Sequence, residues 1–514
     1  MGTRVAVAAS NSIATDAGLR LAELGGNAVD SAIAAVLVAM VCEPGVASLG
    51  GGAFVTLAPA DGSPPVTVDG NVEMPGRGLD ADRFGQGVRD IFTEYAGGTA
   101  MGVGHGSVAT PGALAAYGLA HSRYGRAPWR EVVAPVVEAA QKGFPLGRIS
   151  AEYLSYVHEL VYGWQADSYA ALHDDDGRLL GAGDIIQIPH LAESLELIAT
   201  EGPDVFYRGE IAERIAADMA ENDGLVTAQD LAEYAADERP ALSTTLHSAS
   251  GEWQLATNPP PAIGGVVLAA MLHLADKLAP DDLVHLIAVQ DAVLRFRTDV
   301  LDVAPDRSAA AASLLDMVAS GKLVANRLPT SASTVHVSAV DAEGAACSIT
   351  SSAGYGSGVM TPGTGIWLNN CLGEQELNRL GLHSLPPGER LASNMAPSVG
   401  RGPHGEVLAI GSPGANRITT ALQQVITAFV DGGMPLADAI AKPRLHVRHP
   451  VGRHGAAVVE YERDLQLPEL PWRTHEHKVH SMYFGGVAAA LRKADGELEA
   501  AADPRRSAVV AVSA

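Results

Sequence analysis

A chain of 514 residues that is 47% apolar and 18% charged can bury a large core, and its composition is unlike that of disordered segments. The formal net charge of -24 excludes the clustered Lys and Arg surface that nucleic acid requires. Cys42, Cys347 and Cys371 are odd in number and lack CxxC spacing, so neither a disulfide framework nor a zinc knuckle is implied and a reducing compartment is expected.

The N-terminal stretch lacks the charged region followed by a continuous apolar run of a secretory signal, which places the protein in the cytoplasm. Residues 12 to 24 carry apolar side chains at helical spacing; Gly25-Gly26-Asn27 ends that helix, and a second runs from near Val29 to Glu43-Pro44. Its apolar run, Ala32 to Cys42, falls short of the roughly 20 residues that span a bilayer, so a buried helix and no membrane partner are expected. Leu49-Gly50-Gly51-Gly52-Ala53 then leads into strand-like segments at Phe54 to Leu57 and Val66 to Val68. From about 112 to 325 the pattern reads as mainly helical.

A polar, Pro-interrupted connector, residues 326 to 333, precedes an abrupt change. Thr334 to Val340 alternates as a strand, Asp341 to Gly344 supplies a turn, and Ala345 to Ser351 reads as the returning strand. Alternation puts Thr334, His336 and Ser338 on one face, and Val335 and Val337 on the other. A threonine hydroxyl needs a base, and a free N-terminal amine, with a pKa of roughly 7.7 to 8.0, can serve. Cleavage between Ser333 and Thr334 would supply that amine, although the local pattern by itself favours an ordinary junction of loop and strand.

Motifs along nearly the whole chain decide between these. Leu24 to Ala32 is similar to a GGNAVDAA block, Leu49 to Phe54 to LGGGGF, Ala109 to Gly112 to GTPG, and Phe206 to Gly209 to FYKG. Pro259 to Gly265 is similar to PPPSSGG, Gly411-Ser412-Pro413-Gly414 to GSPG, and Asp503-Pro504-Arg505 to DPR. In order and spacing these motifs resemble the gamma-glutamyltranspeptidase family of N-terminal-nucleophile hydrolases. The resemblance implies an α/β fold, a four-layer αββα sandwich, in which residues 1–333 and 334–514 form large and small subunits of one composite domain after self-cleavage. It implies Thr334 as nucleophile and, through its freed amine, base. Ser352 stands in the place of a second hydroxyl residue that hydrogen-bonds the nucleophile, and the backbone N–H groups of Gly414 and Ala415 in that of an oxyanion hole. No metal or organic cofactor is implied, and the partner is a small-molecule substrate.

The substrate pocket departs from the family pattern. Where an Arg grips the substrate α-carboxylate, this chain has Val72, followed by Glu73. An Asn beyond the second hydroxyl residue is missing, because Ala353, Gly354 and Tyr355 follow Ser352. Cys371 and Glu374 stand for a Gln and an ammonium-binding Asp, and Ser393 keeps one of two paired serines while Asn394 replaces the other. These changes point away from glutathione and toward a specialised, antibiotic or secondary-metabolite hydrolase, with carbon–carbon bond cleavage, as in alkylproline pathways, among its chemistries. A genuine glutathione hydrolase and an inactive binding protein are the alternatives. His336 is expected to be structural or orienting, as are Asp30 and Arg505. His475-Glu476-His477 lacks the HExxH spacing of a zinc site, Gly102 to Gly106 lacks dinucleotide-binding spacing, and no Gly-x-Ser-x-Gly elbow surrounds Ser352.

Overall fold

The computed structural model describes residues 2–94, 98–276, 282–321, 323, 334–414, 416–449, 457–480, 482–506 and 508–513. Two antiparallel sheets face one another and each carries helices on its outer side, which gives four layers, αββα. In chain order the sandwich elements are β1 (Val5–Ala9), α1 (Ser12–Glu23), α2 (Ala28–Cys42), β2 (Gly52–Ala58), β3 (Val66–Gly70), β4 (Asp237–Pro240), β5 (Leu242–Ser248) and β6 (Gly251–Thr257). After them come α3 (Ile263–Ala275), β7 (Val335–Asp341), β8 (Ala346–Ser352), β9 (Ser398–Arg401), β10 (Val407–Gly411), α4 (Arg417–Val430), β11 (Ala488–Arg492), β12 (Leu498–Ala502) and β13 (Val509–Val512).

The first sheet has the order β13-β1-β7-β8-β2-β3-β4 and the second β12-β11-β10-β9-β6-β5. Both take strands from either side of position 334. Between them lie mostly small side chains, among them Ala6, Ala58, Ala256, Ala346, Ala409 and Ala490, which let the two backbones approach closely.

Local chemistry sets the helices. Asn11 accepts from Ala14 N–H to cap α1, and Asn27 with Asp30 forms a reciprocal capping box at the start of α2. The buried Asp30 carboxylate also accepts from the backbone of Arg126 and Ala127, so the acidic residue of the GGNAVD-like motif is structural. Every residue of α2 is buried, because the first sheet lies on one side and the helix Trp129–Lys142 on another. Among the described residues no helix is long and apolar enough to cross a membrane.

The region read as mainly helical contains a correction. Helices such as Ala113–Tyr124, Glu210–Glu221 and α3 are present, but β4, β5 and β6 interrupt them at residues 237 to 257. The hairpin β5-β6 pairs through β6 onto β9 and completes the second sheet.

Candidate active site

Thr334 immediately precedes β7, near the middle of the first sheet. Val335, Val337 and Ala339 turn to the helix layer, as the alternation predicts. On the opposite face the His336 ring nitrogens lie 2.9 Å from Thr350 Oγ1 and 2.8 Å from Ser338 Oγ, and Ser338 donates to the Ala488 carbonyl at 3.1 Å. Gly411 faces that ring, and a Cβ there would come within 2.2 Å of Cε1. Burial pushes His336 down to about 3, so the imidazole is neutral and braces the two sheets.

The antiparallel register, Val335 opposite Ser351, carries Thr334 beside Ser352 at the end of β8. Close packing of backbone fixes that corner: at Gly51 a Cβ would lie 2.4 Å from the Ser352 carbonyl oxygen. Ser352 Oγ accepts from Gly354 N–H at 3.1 Å.

Thr334 and Ser352 both line one partly open cavity. Val72, Cys371, Glu374, Ser393 and Asn394 line it too. Glu73 does not; its carboxylate lies 2.9 Å from Arg390 and 3.2 Å from Arg77, which draws it away from the cavity. Leu377, Ala392, Met395 and Ile418 add apolar wall that no sequence motif marks. None of the described lining residues is Lys, Arg or His, and Glu374 is the one carboxylic acid among them. Glu374 is buried against the Cys371 thiol; burial and the nearby Glu376 push its carboxyl well above the usual range. The thiol is likewise raised, first by burial and then by Glu374.

The Gly411 to Gly414 segment links β10 to α4. Ser412 Oγ donates to the Pro413 carbonyl at 2.7 Å and accepts from Gly486 N–H at 3.1 Å. Gly414 has φ +129°, a conformation that favours glycine, and a Cβ there would lie 2.9 Å from Gly485 Cα. Arg417 N–H donates to the Gly414 carbonyl at 3.0 Å, and Asn394 Nδ2 donates to Asn416 Oδ1 at 2.6 Å. A turn so tied at the N-terminus of a 14-residue helix suits stabilisation of developing negative charge. Ser333 and Ala415 lie outside the described residues.

Two features escape the sequence reading. Arg506 Nη1 donates to the Thr334 carbonyl at 2.9 Å, and Asn71 lines the cavity while its Nδ2 donates to the Leu391 carbonyl at 2.8 Å. Arg505, by contrast, is structural as expected, buried between Glu462 and Asp503. The His475-Glu476-His477 segment lies on a separate strand, Arg473–His477, with His475 and Glu476 exposed.

The gamma-glutamyltranspeptidase family model matches residues 14–513. The chain belongs to that family. It is 31% identical over 482 residues to the glutathione hydrolase proenzyme of Pseudomonas aeruginosa, covering 86% of this chain and 82% of that protein. The acylase ACY 1 proenzyme of Pseudomonas sp. (strain SE83) is 29% identical over 547 residues, covering 98% and 92% of the two chains. Among solved structures, the cephalosporin acylase from Bacillus halodurans superimposes with a TM-score of 0.77 at 21% identity, covering 99% of this chain and 96% of that one, which shows the shared fold.

In this gamma-glutamyltranspeptidase-family enzyme Val72, which the sequence resemblance sets in the place of a carboxylate-gripping Arg, is a buried, apolar part of the cavity wall. Neighbouring guanidinium groups do not substitute for it. Arg390 is held by Glu73 and the Asn71 carbonyl, and Arg77 by Glu73, Asp230 and Glu233.

Proposed function

We propose that the chain cleaves itself between Ser333 and Thr334, and that the freed Thr334 cleaves a small metabolite whose recognised end is not a γ-glutamyl group. In self-cleavage, Thr334 Oγ1 attacks the Ser333 carbonyl, the peptide becomes an ester, and water opens it to leave a free amine. In turnover that amine takes the hydroxyl proton as Oγ1 attacks the substrate carbonyl. The N–H groups of Gly414 and Ala415 receive the oxyanion, Ser352 holds the nucleophile, and the proton passes to the leaving group. Water then releases the acyl product. An amide nitrogen or the carbon beside a ketone can be the leaving atom, so the same machinery serves carbon–carbon cleavage in a specialised biosynthetic pathway.

The observation that carries the substrate reading is the cavity at Thr334, walled by Val72, Leu377, Ala392, Met395 and Ile418 and lined, among the described residues, by no cationic side chain. Charged hydrogen bonds contribute about 1.5 to 3 kcal/mol each, so a carboxylate deprived of a guanidinium fork loses at least about tenfold in affinity. Asn394 keeps a polar function here: its Nδ2 is anchored on Asn416, and its buried Oδ1, which has no donor among the described residues, is left to accept from a bound molecule. The acylase ACY 1 name of one relative agrees with a family whose acyl specificity varies.

The test has two stages. Purified protein on a denaturing gel should show fragments 1–333 and 334–514, and Thr334→Ala a single chain; an uncut wild type would overturn the nucleophile assignment. Anilides of a γ-glutamyl group and of an acyl group without an α-carboxylate are then compared. The second should give the higher kcat/KM, and efficient γ-glutamyl release would overturn the pocket reading.

A further inference from the structure

Arg505 and Arg506 are adjacent, yet serve different neighbourhoods. Arg505 is taken up by Glu462, Asp503 and the carbonyls of Ile440 and Lys442. Arg506 passes over Gly486, where a Cβ would meet its Cδ at 2.6 Å, and reaches the Thr334 carbonyl. Both ends of that hydrogen bond are buried. The arginine charge is also felt by Glu43, at the end of α2: burial pushes the Glu43 carboxyl up, and Arg506 partly offsets it.

The Thr334 nitrogen and carbonyl oxygen belong to one residue, so covalent geometry keeps Arg506 Nη1 within about 6.5 Å of that nitrogen. A cation at this range disfavours protonation of an amine. A free α-amine ordinarily titrates at roughly 7.7 to 8.0, and only its neutral form can accept the hydroxyl proton.

We propose that Arg506 is a positioning residue for the nucleophile: its hydrogen bond fixes the Thr334 backbone, and its charge keeps the Thr334 amine in the neutral, base-competent form. This inference rests on Thr334 being the freed nucleophile. The other ionisable groups around the site do not oppose it. Across the cavity, Cys371 and Glu374 are both held toward their protonated forms. Along the strand, His336 is neutral and turned toward the second sheet. At the start of α4, Arg417 is engaged with the Tyr483 ring and carbonyl. Glu43 is likewise pushed up by burial, and Arg506, held on the Thr334 carbonyl, raises the positive potential there.

The experiment measures the amine directly in the cleaved full-length protein, without needing the natural substrate. Competitive labelling with acetic anhydride across pH, read by mass spectrometry on the peptide that begins at Thr334, gives the titration midpoint of this amine. Wild type should titrate below the ordinary range. Arg506→Met should raise the midpoint by about one unit, and Arg506→Lys should keep it near wild type. An Arg506→Met protein that is cleaved but titrates as wild type would overturn the proposal, as would a wild-type amine that titrates in the ordinary range. If Arg506→Met stays uncleaved, the wild-type and Arg506→Lys midpoints decide, and values in the ordinary range overturn it. An uncleaved wild type has no amine to label, and that outcome refutes the nucleophile reading instead.

Discussion

Asn394 Nδ2 donates to Asn416 Oδ1 at 2.6 Å, and so fastens the cavity wall to the turn that opens α4. Replacing Asn394 by Ala should cost about 1 kcal/mol of stability through the lost buried hydrogen bond. It should lower kcat more than it raises KM, because the turn leads to the N–H groups proposed to meet developing charge. Urea melts and steady-state kinetics check this; an unchanged kcat would mean that the tie does not aim the turn.

Glu374→Gln tests the buried carboxyl. Its folded pKa lies above the unfolded value of about 4.3. Below that pH both states are protonated, and Glu and Gln should be nearly equivalent. As pH rises the unfolded state ionises while folded Glu374 holds its proton, so wild type loses stability relative to the variant. The Tm difference, variant minus wild type, should therefore grow between pH 4 and 8. A difference that is constant across this range would rule out a raised carboxyl.

His336 makes the opposite prediction, since its folded value is depressed to about 3 against an ordinary 6.5. Its contribution is present above pH 6.5 and is lost as pH falls toward 3, with a slope on the order of 1 kcal/mol per pH unit. His336→Gln should start from a lower stability, because two hydrogen bonds are disturbed, yet show a flatter acid limb. Parallel limbs in denaturant titrations would refute the assignment. Gly411→Ala should also destabilise, because the new methyl would enter the space of the imidazole.

Glu462→Ala should be among the most damaging changes outside the cavity. The Arg505 and Glu462 side chains are fully buried, and removing one partner of such a pair costs about 3 to 5 kcal/mol. Thermal denaturation should show a large fall in Tm; a shift of a degree or two would mean that the pair is not a structural clamp.

The sandwich and much of the cavity were legible in the sequence because their signals are local or carried by motif. Alternation announces β7 and β8, and the Asn27 and Asp30 cap is visible in the GGNAVD-like block. The β5-β6 hairpin is harder to see. Its inward Ala256 belongs to the small-residue layer between the sheets, which weakens the contrast between the two faces of a strand. The position of Glu73 is only half legible: Arg77 lies four residues on, but Arg390, the shorter of its two ion pairs, is remote in the chain, and no spacing rule links that pair. Arg506 escaped notice because its function depends on proximity to Thr334, which only the folded chain creates.

In the first sheet β1 lies between β13 and β7, and in the second β6 pairs with β9, so segments from before and after position 334 are stitched together in both sheets. A single backbone break there removes no strand from either sheet. If the proposed cleavage occurs, each product would keep strands in both sheets, so parting the two would expose unpaired strand edges and both sheet faces to water.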